Sequence, residues 1–276
     1  MEKLKLNFGS LFSKQVLVRL ISSFLMTVPV IVFILVGGIY FTVFVALLAG
    51  IMSWEVNKTV CRPKNDFIEI GIGFVVLSLI LVFGLFFVSS FSEANLPLFL
   101  GLLIIVAFII RKVHSVARII LGNLIIAFSC FCMIWLRSTL DVESFTWILL
   151  SVVATDIGAF IVGSIIGGMK LAPNISPNKT WAGLLGGIFS SLMVAWVFYL
   201  FWLETKILNL FIMAIILAIV SQVGDLVESA YKRSYKIKDS SRLIPGHGGV
   251  LDRLDGHIAV GIFISFILLY YDGALM

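Results

Sequence analysis

Residues 207–230 read Ile-Leu-Asn-Leu-Phe-Ile-Met-Ala-Ile-Ile-Leu-Ala-Ile-Val-Ser-Gln-Val-Gly-Asp-Leu-Val-Glu-Ser-Ala, and Tyr231-Lys232-Arg233 follows at once. At about 1.5 Å per residue, a helix of this length crosses a hydrocarbon core of about 30 Å. Similar apolar runs, broken by charges or turn residues, recur along the chain. They predict nine helices at approximately 19–36, 38–54, 67–89, 96–110, 116–136, 144–166, 181–203, 207–230 and 256–274. Gly37-Gly38 separates the first pair, and Glu93-Ala94-Asn95 separates the third from the fourth.

Composition agrees. Of 276 residues 61% are hydrophobic and 13% charged, and the mean hydropathy is +1.14. Soluble domains run at about 45–50% apolar and about 25% charged, so an ordinary soluble globule is excluded. So is a disordered chain, which needs few large apolar residues. The expected class is an all-α polytopic membrane protein with its N-terminus in the cytoplasm. That orientation puts 18 of the 20 Lys and Arg on the cytoplasmic side and leaves only Arg137 and Lys206 outside. The net charge of +5 thus reports topology, and nucleic acid is not expected as a partner. Leu4, Phe8, Leu11 and Phe12, set among Lys3, Lys5 and Lys14, suit an interfacial helix over 1–16. Cys61, Cys130 and Cys132 are too few for a disulfide framework, and no Cys/His spacing suggests zinc. Residues 1–140 therefore read as N-terminal membrane helices. Residues 141–276 read as a C-terminal membrane region whose cytoplasmic loops, 167–180 and 231–255, have an unusual composition.

Charges within spans are costly and mark a function or a buried partner. Glu69 lies near a cytoplasmic helix end and can reach water. Asp156 lies deeper, with no cation in its own helix. Asp225, Glu228, Ser229 and Lys232 fall at i, i+3, i+4 and i+7, one stripe of a helix arriving at the cytoplasm. The following loop carries Lys232, Arg233, Lys238 and Asp239, then Pro245-Gly246-His247-Gly248-Gly249, Asp252, Arg253 and Asp255. Such parts suit a polyphosphate. Cations neutralise phosphate oxygens, a glycine-rich turn brings backbone N–H groups to an anion, and paired carboxylates can hold Mg²⁺ together with substrate phosphates. In the other loop, two prolines and two asparagines exclude a helix through 173–178. Ser176, Lys179 and Thr180 there can meet phosphate, while Trp181 reads as an interfacial anchor. Gly163, Gly167, Gly183 and Gly187, four apart within each pair, predict close helix packing.

Assembled, Ser229-x2-Lys232-Arg233-x4-Lys238-Asp239-x5-Pro245-x-His247-Gly248-Gly249-x2-Asp252-Arg253-x-Asp255 resembles the signature of the phosphatidate cytidylyltransferases, the CDP-diacylglycerol synthases. Asp156-x2-Ala159-Phe160 and Ser176-Pro177-Asn178-Lys179-Thr180-Trp181 resemble two further blocks of that family. The resemblance covers about 150–260; one departure is Ala182, where members commonly carry Glu. It implies the reaction CTP + phosphatidate → CDP-diacylglycerol + pyrophosphate at the cytoplasmic face of the cell (inner) membrane, with the bilayer as partner and a homodimer allowed. On this reading Asp225 and Asp252 bind Mg²⁺, with Asp255 beside them and room for a second ion. Lys232, Arg233, Lys238 and Arg253 meet triphosphate or lipid phosphate, with Asp239 in the same catalytic set. His247 and Gly248-Gly249 cradle the pyrophosphate. Ser176, Lys179, Thr180, Asp156 and Ser229 complete the substrate side. No general base is expected, because the attacking phosphate oxygen is already ionised. The rivals are other CTP-using lipid enzymes, such as a polyprenol or phytol kinase or a CDP-archaeol-type synthase, and an ion or phosphate transporter relaying through Asp156, Asp225 and Glu228.

Overall fold

The computed structural model describes residues 14–61, 115–202, 206–246 and 248–270. Seven helices and one hairpin run in the order α1 (Lys14–Val36), α2 (Gly38–Cys61), α3 (Ser115–Thr139), α4 (Val142–Ile166), β1 (Lys170–Ala172), β2 (Ser176–Thr180), α5 (Trp181–Phe201), α6 (Ile207–Ser234) and α7 (Leu251–Tyr270). Six stretches are long and apolar enough to cross a membrane: Gly38–Val60, Leu121–Thr139, Val142–Ile166, Trp181–Phe201, Ile207–Ser234 and Leu251–Tyr270. Phe24–Val36 of α1 is a shorter apolar segment. The expected spans at 67–89 and 96–110, and the interfacial helix over 1–16 up to residue 13, lie outside the described residues. The class is all-α with one addition. The loop expected at 167–180 is an antiparallel hairpin, Lys170 opposite Thr180 and Ala172 opposite Ser176. Its prolines and asparagines bar a helix but leave the pairing positions intact.

α6 lies against α4, α5 and α7, and α7 also packs on α3, which pairs with α2. Phe128, Leu136, Trp147, Ile148, Leu217 and Ile264 are fully buried between these helices. Phe160, Ile165, Leu185 and Phe189 stand on the outside of α4 and α5, as apolar solvent requires.

Glycines set the closest approach, α4 against α5. A Cβ at Gly183 would lie 2.8 Å from the Ala159 carbonyl oxygen, and one at Gly187 would lie 2.9 Å from that of Thr155. Gly158 and Gly186 belong to the same seam. Gly167 does not, contrary to the expectation from its spacing. It ends α4 with φ 66° and faces open space, the usual work of a glycine after a helix.

The helix ends sort into two groups. At one end Arg137 Nε donates to the Ile34 carbonyl at 2.8 Å, beside Gly37, and Asp141 caps α4 by accepting from Ser144 N. At the other end Ser22 of α1 donates to the Pro245 carbonyl at 3.1 Å, and Asn123 of α3 donates to Asn57 of α2 at 2.8 Å. The second end carries the hairpin and the 235–250 segment.

Candidate active site

The hairpin docks onto α6 through its cations' partners. Lys179 Nζ lies 2.7 Å from Asp225 Oδ2 and donates to the Gln222 carbonyl at 3.3 Å. Gln222 Nε2 in turn donates to Asp156 Oδ1 at 3.2 Å, bringing α4 into the same network. Arg233 Nε donates to the Ile175 carbonyl and Nη1 to the Ile237 carbonyl, at 3.3 and 3.0 Å. Arg233 thereby ties the hairpin tip to the segment after α6, so two of its nitrogens serve the fold rather than a phosphate.

One turn along α6, carboxylates gather. Oxygens of Asp225, Glu228 and Asp255 lie within 4.8 Å of one another. Ser229, buried, donates to Asp225 Oδ1 at 3.2 Å. Lys232 Nζ lies 2.5 Å from Glu228 Oε2 and 2.8 Å from Asp252 Oδ1. Glu228 Oε1 is buried without a hydrogen-bond partner among the described residues. The stripe read from the i, i+3, i+4, i+7 spacing is therefore a real face, and α7 supplies the third carboxylate, Asp255.

Two expectations need correction. Asp252 is not in the three-carboxylate group. Its oxygens accept from Lys232, from Ser240 N at 3.1 and 3.0 Å and from Gly249 N at 2.8 Å, which ties α7 to α6 and to the segment between them. Nor do the two glycines offer their amides to an anion. Gly248 N donates to the Ile244 carbonyl in a reciprocal pair, and Gly249 N is the Asp252 donor just named. Gly248, at φ 89°, gives the turn the left-handed residue it needs. Thr180 Oγ1 is likewise engaged, accepting from Gly183 N at 3.0 Å as the cap of α5. Ser176 is half-buried on β2, and Lys238, Asp239 and Arg253 are exposed. His247 lies outside the described residues.

Sequence reasoning missed Glu55, Gln222, Ser240 and Ser241. Glu55, with no exposed surface, accepts from Ser241 Oγ, Val250 N and Leu251 N at 2.6, 2.9 and 2.8 Å and from Ser240 Oγ at 3.3 Å. The expected second span stopped at residue 54, so Glu55 looked like the first residue of a loop. The available signal was Val56-Asn57, which continues the helix to Cys61.

Known proteins share this arrangement of sequence. A model of the cytidylyltransferase family matches residues 17–271. The phosphatidate cytidylyltransferase of Bacillus subtilis is 32% identical over 267 residues, 92% of this chain and 98% of that protein. A protein of the same name from Rickettsia bellii is 38% identical over 205 residues, 67% of this chain and 87% of that one. One from Brucella suis is 45% identical over 122 residues, 44% of this chain and 43% of that one, less than half of either. The chain belongs to the cytidylyltransferase family.

Proposed function

We propose that the protein transfers the cytidylyl group of CTP to phosphatidate, giving CDP-diacylglycerol and pyrophosphate, in a site at the cytoplasmic membrane face. One observation carries the reading. Lys179 and Lys232, from segments some fifty residues apart, meet Asp225, Glu228 and Asp255 at the cation-rich end of an apolar bundle. Two polyanions must approach there. CTP arrives from water and phosphatidate from the leaflet, beside the apolar faces of α4 and α5.

A phosphate oxygen of the lipid attacks the α-phosphorus of CTP in line, and pyrophosphate leaves with the electron pair of the broken P–O bond. Because that oxygen is already ionised, no side chain has to remove a proton. The chain's work is positioning and charge neutralisation. Lys232 and Lys179 are held in place by carboxylates, which fixes their ammonium groups before substrate arrives. Lys238 and Arg253, both exposed, meet the outer phosphates. The all-oxygen donor set of Asp225, Glu228 and Asp255, with the buried Oε1 of Glu228 unbonded, fits a hard divalent cation such as Mg²⁺, and these three residues would hold it. Bound there, the ion would draw charge from the phosphate oxygens. Asp252 instead holds Lys232 and the start of α7.

CTP labelled separately at the α- and γ-phosphorus tests the reaction, with the full chain in vesicles containing phosphatidate. The expected result is lipid carrying the α label only. Lipid carrying the γ label would make the protein a lipid kinase and contradict the reading.

A further inference from the structure

Glu55 sits where no substrate is expected, yet it is the most completely bonded acid among the described residues. It comes from α2, in the half of the chain whose sequence reads only as generic spans. Its four donors all belong to one segment 185–196 residues later: Ser240 and Ser241 by their hydroxyls, Val250 and Leu251 by their backbone N–H groups. The two N–H groups open α7, whose first-turn donors would otherwise be orphaned. Ser241 Oγ also accepts from Leu243 N at 3.1 Å, which folds the segment around the carboxylate. Gly249 completes the fit, because a Cβ there would meet Ser240 Oγ first and then Glu55 Oε1 at 2.6 Å. The requirement for glycine at 249 thus comes from the approach of Ser240 and Glu55, bonded to each other, and not from an anion at its amide.

The contacts lead on to the site. Ser240 N and Gly249 N, adjacent to groups that Glu55 holds, donate to Asp252, and Asp252 Oδ1 receives Lys232 Nζ. Lys232 pairs with Glu228 of the carboxylate group. An apolar residue at 55 would fill the same volume but leave the N–H groups of Val250 and Leu251 buried without acceptors. A carboxylate with two oxygens matches four convergent donors. Gln cannot, since its NH2 would face a donor.

We propose that Glu55 is a positioning residue: from α2 it fixes the 240–251 segment, and through Asp252 it sets the place of Lys232. The inference rests on the proposed cytidylyl transfer only for its kinetic consequence. It gives the N-terminal helices a task, that of carrying the anchor, with Ser22 of α1 holding Pro245 of the same segment.

The test uses the full chain in lipid nanodiscs, with Glu55→Gln, Glu55→Asp, Ser241→Ala and the double variant Glu55→Gln/Ser241→Ala. Amide hydrogen exchange is followed over 240–252 and, as reference, over 142–166, and KM for CTP is measured. Glu55→Gln should speed exchange in 240–252 by about tenfold or more while 142–166 is unchanged, and raise KM for CTP by about fivefold or more. A smaller folded fraction would lower the apparent kcat but leave KM alone. Glu55→Asp should recover part of both effects, and the double variant should be no worse than Glu55→Gln, because the two share one contact. If Glu55→Gln does not yield folded protein, Ser241→Ala decides by a smaller rise confined to 240–252. Unchanged exchange and KM, or exchange rising equally over 142–166, overturns the proposal. If the wild-type chain makes no CDP-diacylglycerol, the functional reading fails, while the exchange measurement still decides whether Glu55 is the anchor.

Discussion

Lys232 is 11% exposed and stands between two carboxylates, Glu228 and Asp252, themselves 9% and 8% exposed. Removing one partner of a buried pair leaves uncompensated charge, at about 3–5 kcal/mol. Lys232→Met should therefore lower thermal stability in detergent by that order as well as abolish turnover. Lys232→Arg should restore stability only in part, since a planar fork does not replace a compact ammonium between two acids. Unchanged melting of Lys232→Met would remove the pairing. The spacing of Asp225, Glu228, Ser229 and Lys232 made their shared face readable, because a helix brings i, i+3, i+4 and i+7 together. Asp252 was readable as functional but not in its use. Three residues before Asp255 it looks like half of a ligand pair, and only its contacts with Lys232, Ser240 N and Gly249 N turn it away from the carboxylate group. The helical placement of Glu55 was open to reading, but its role was not, since its partners lie beyond residue 239 and no local spacing connects them.

The α4–α5 seam depends on missing side chains. Gly183→Val would drive a branched Cβ toward the Ala159 backbone oxygen, which cannot rotate away. Overpacking of this kind costs about 1–3 kcal/mol. The seam carries Thr155 and Asp156 on one side and the hairpin's Thr180 cap on the other, so activity should fall with it. Melting temperature and turnover of Gly183→Val check this, and a stable, active variant would mean the helices are further apart than described. At the far end of α4, Asp141→Ala should cost about 1 kcal/mol through loss of the cap to Ser144 N, with no change in KM for CTP. The glycine spacing announced the seam, but the identity of its members needed the structure. Gly158 and Gly186 lie on the contacting faces, while Gly167 lies one residue past the helix.

Across the molecule, apolar runs were enough to locate every described helix, because bilayer thickness dictates their length. The hairpin at 170–180 was readable only as not helical. The two ends of the bundle differ sharply in charge. Arg137 and Lys206 lie at one, while Lys179, Lys232, Arg233, Lys238 and Arg242 lie at the other with the carboxylate cluster. If the second end faces the cytoplasm, a membrane-impermeant thiol reagent applied to intact cells should label Ser138→Cys and spare Arg242→Cys, each in a Cys61→Ser background. The reverse pattern would invert the orientation. The convergence of hairpin, α6 and α7 on one phosphate-handling pocket is decided by the Mg²⁺ dependence of CDP-diacylglycerol formation, compared among the wild-type chain, Asp225→Asn and Asp255→Asn in nanodiscs. Both variants should remain folded and lose about 10²–10³-fold in turnover, with no rescue by added Mg²⁺. Wild-type rates with ordinary Mg²⁺ dependence in either one would contradict the pocket.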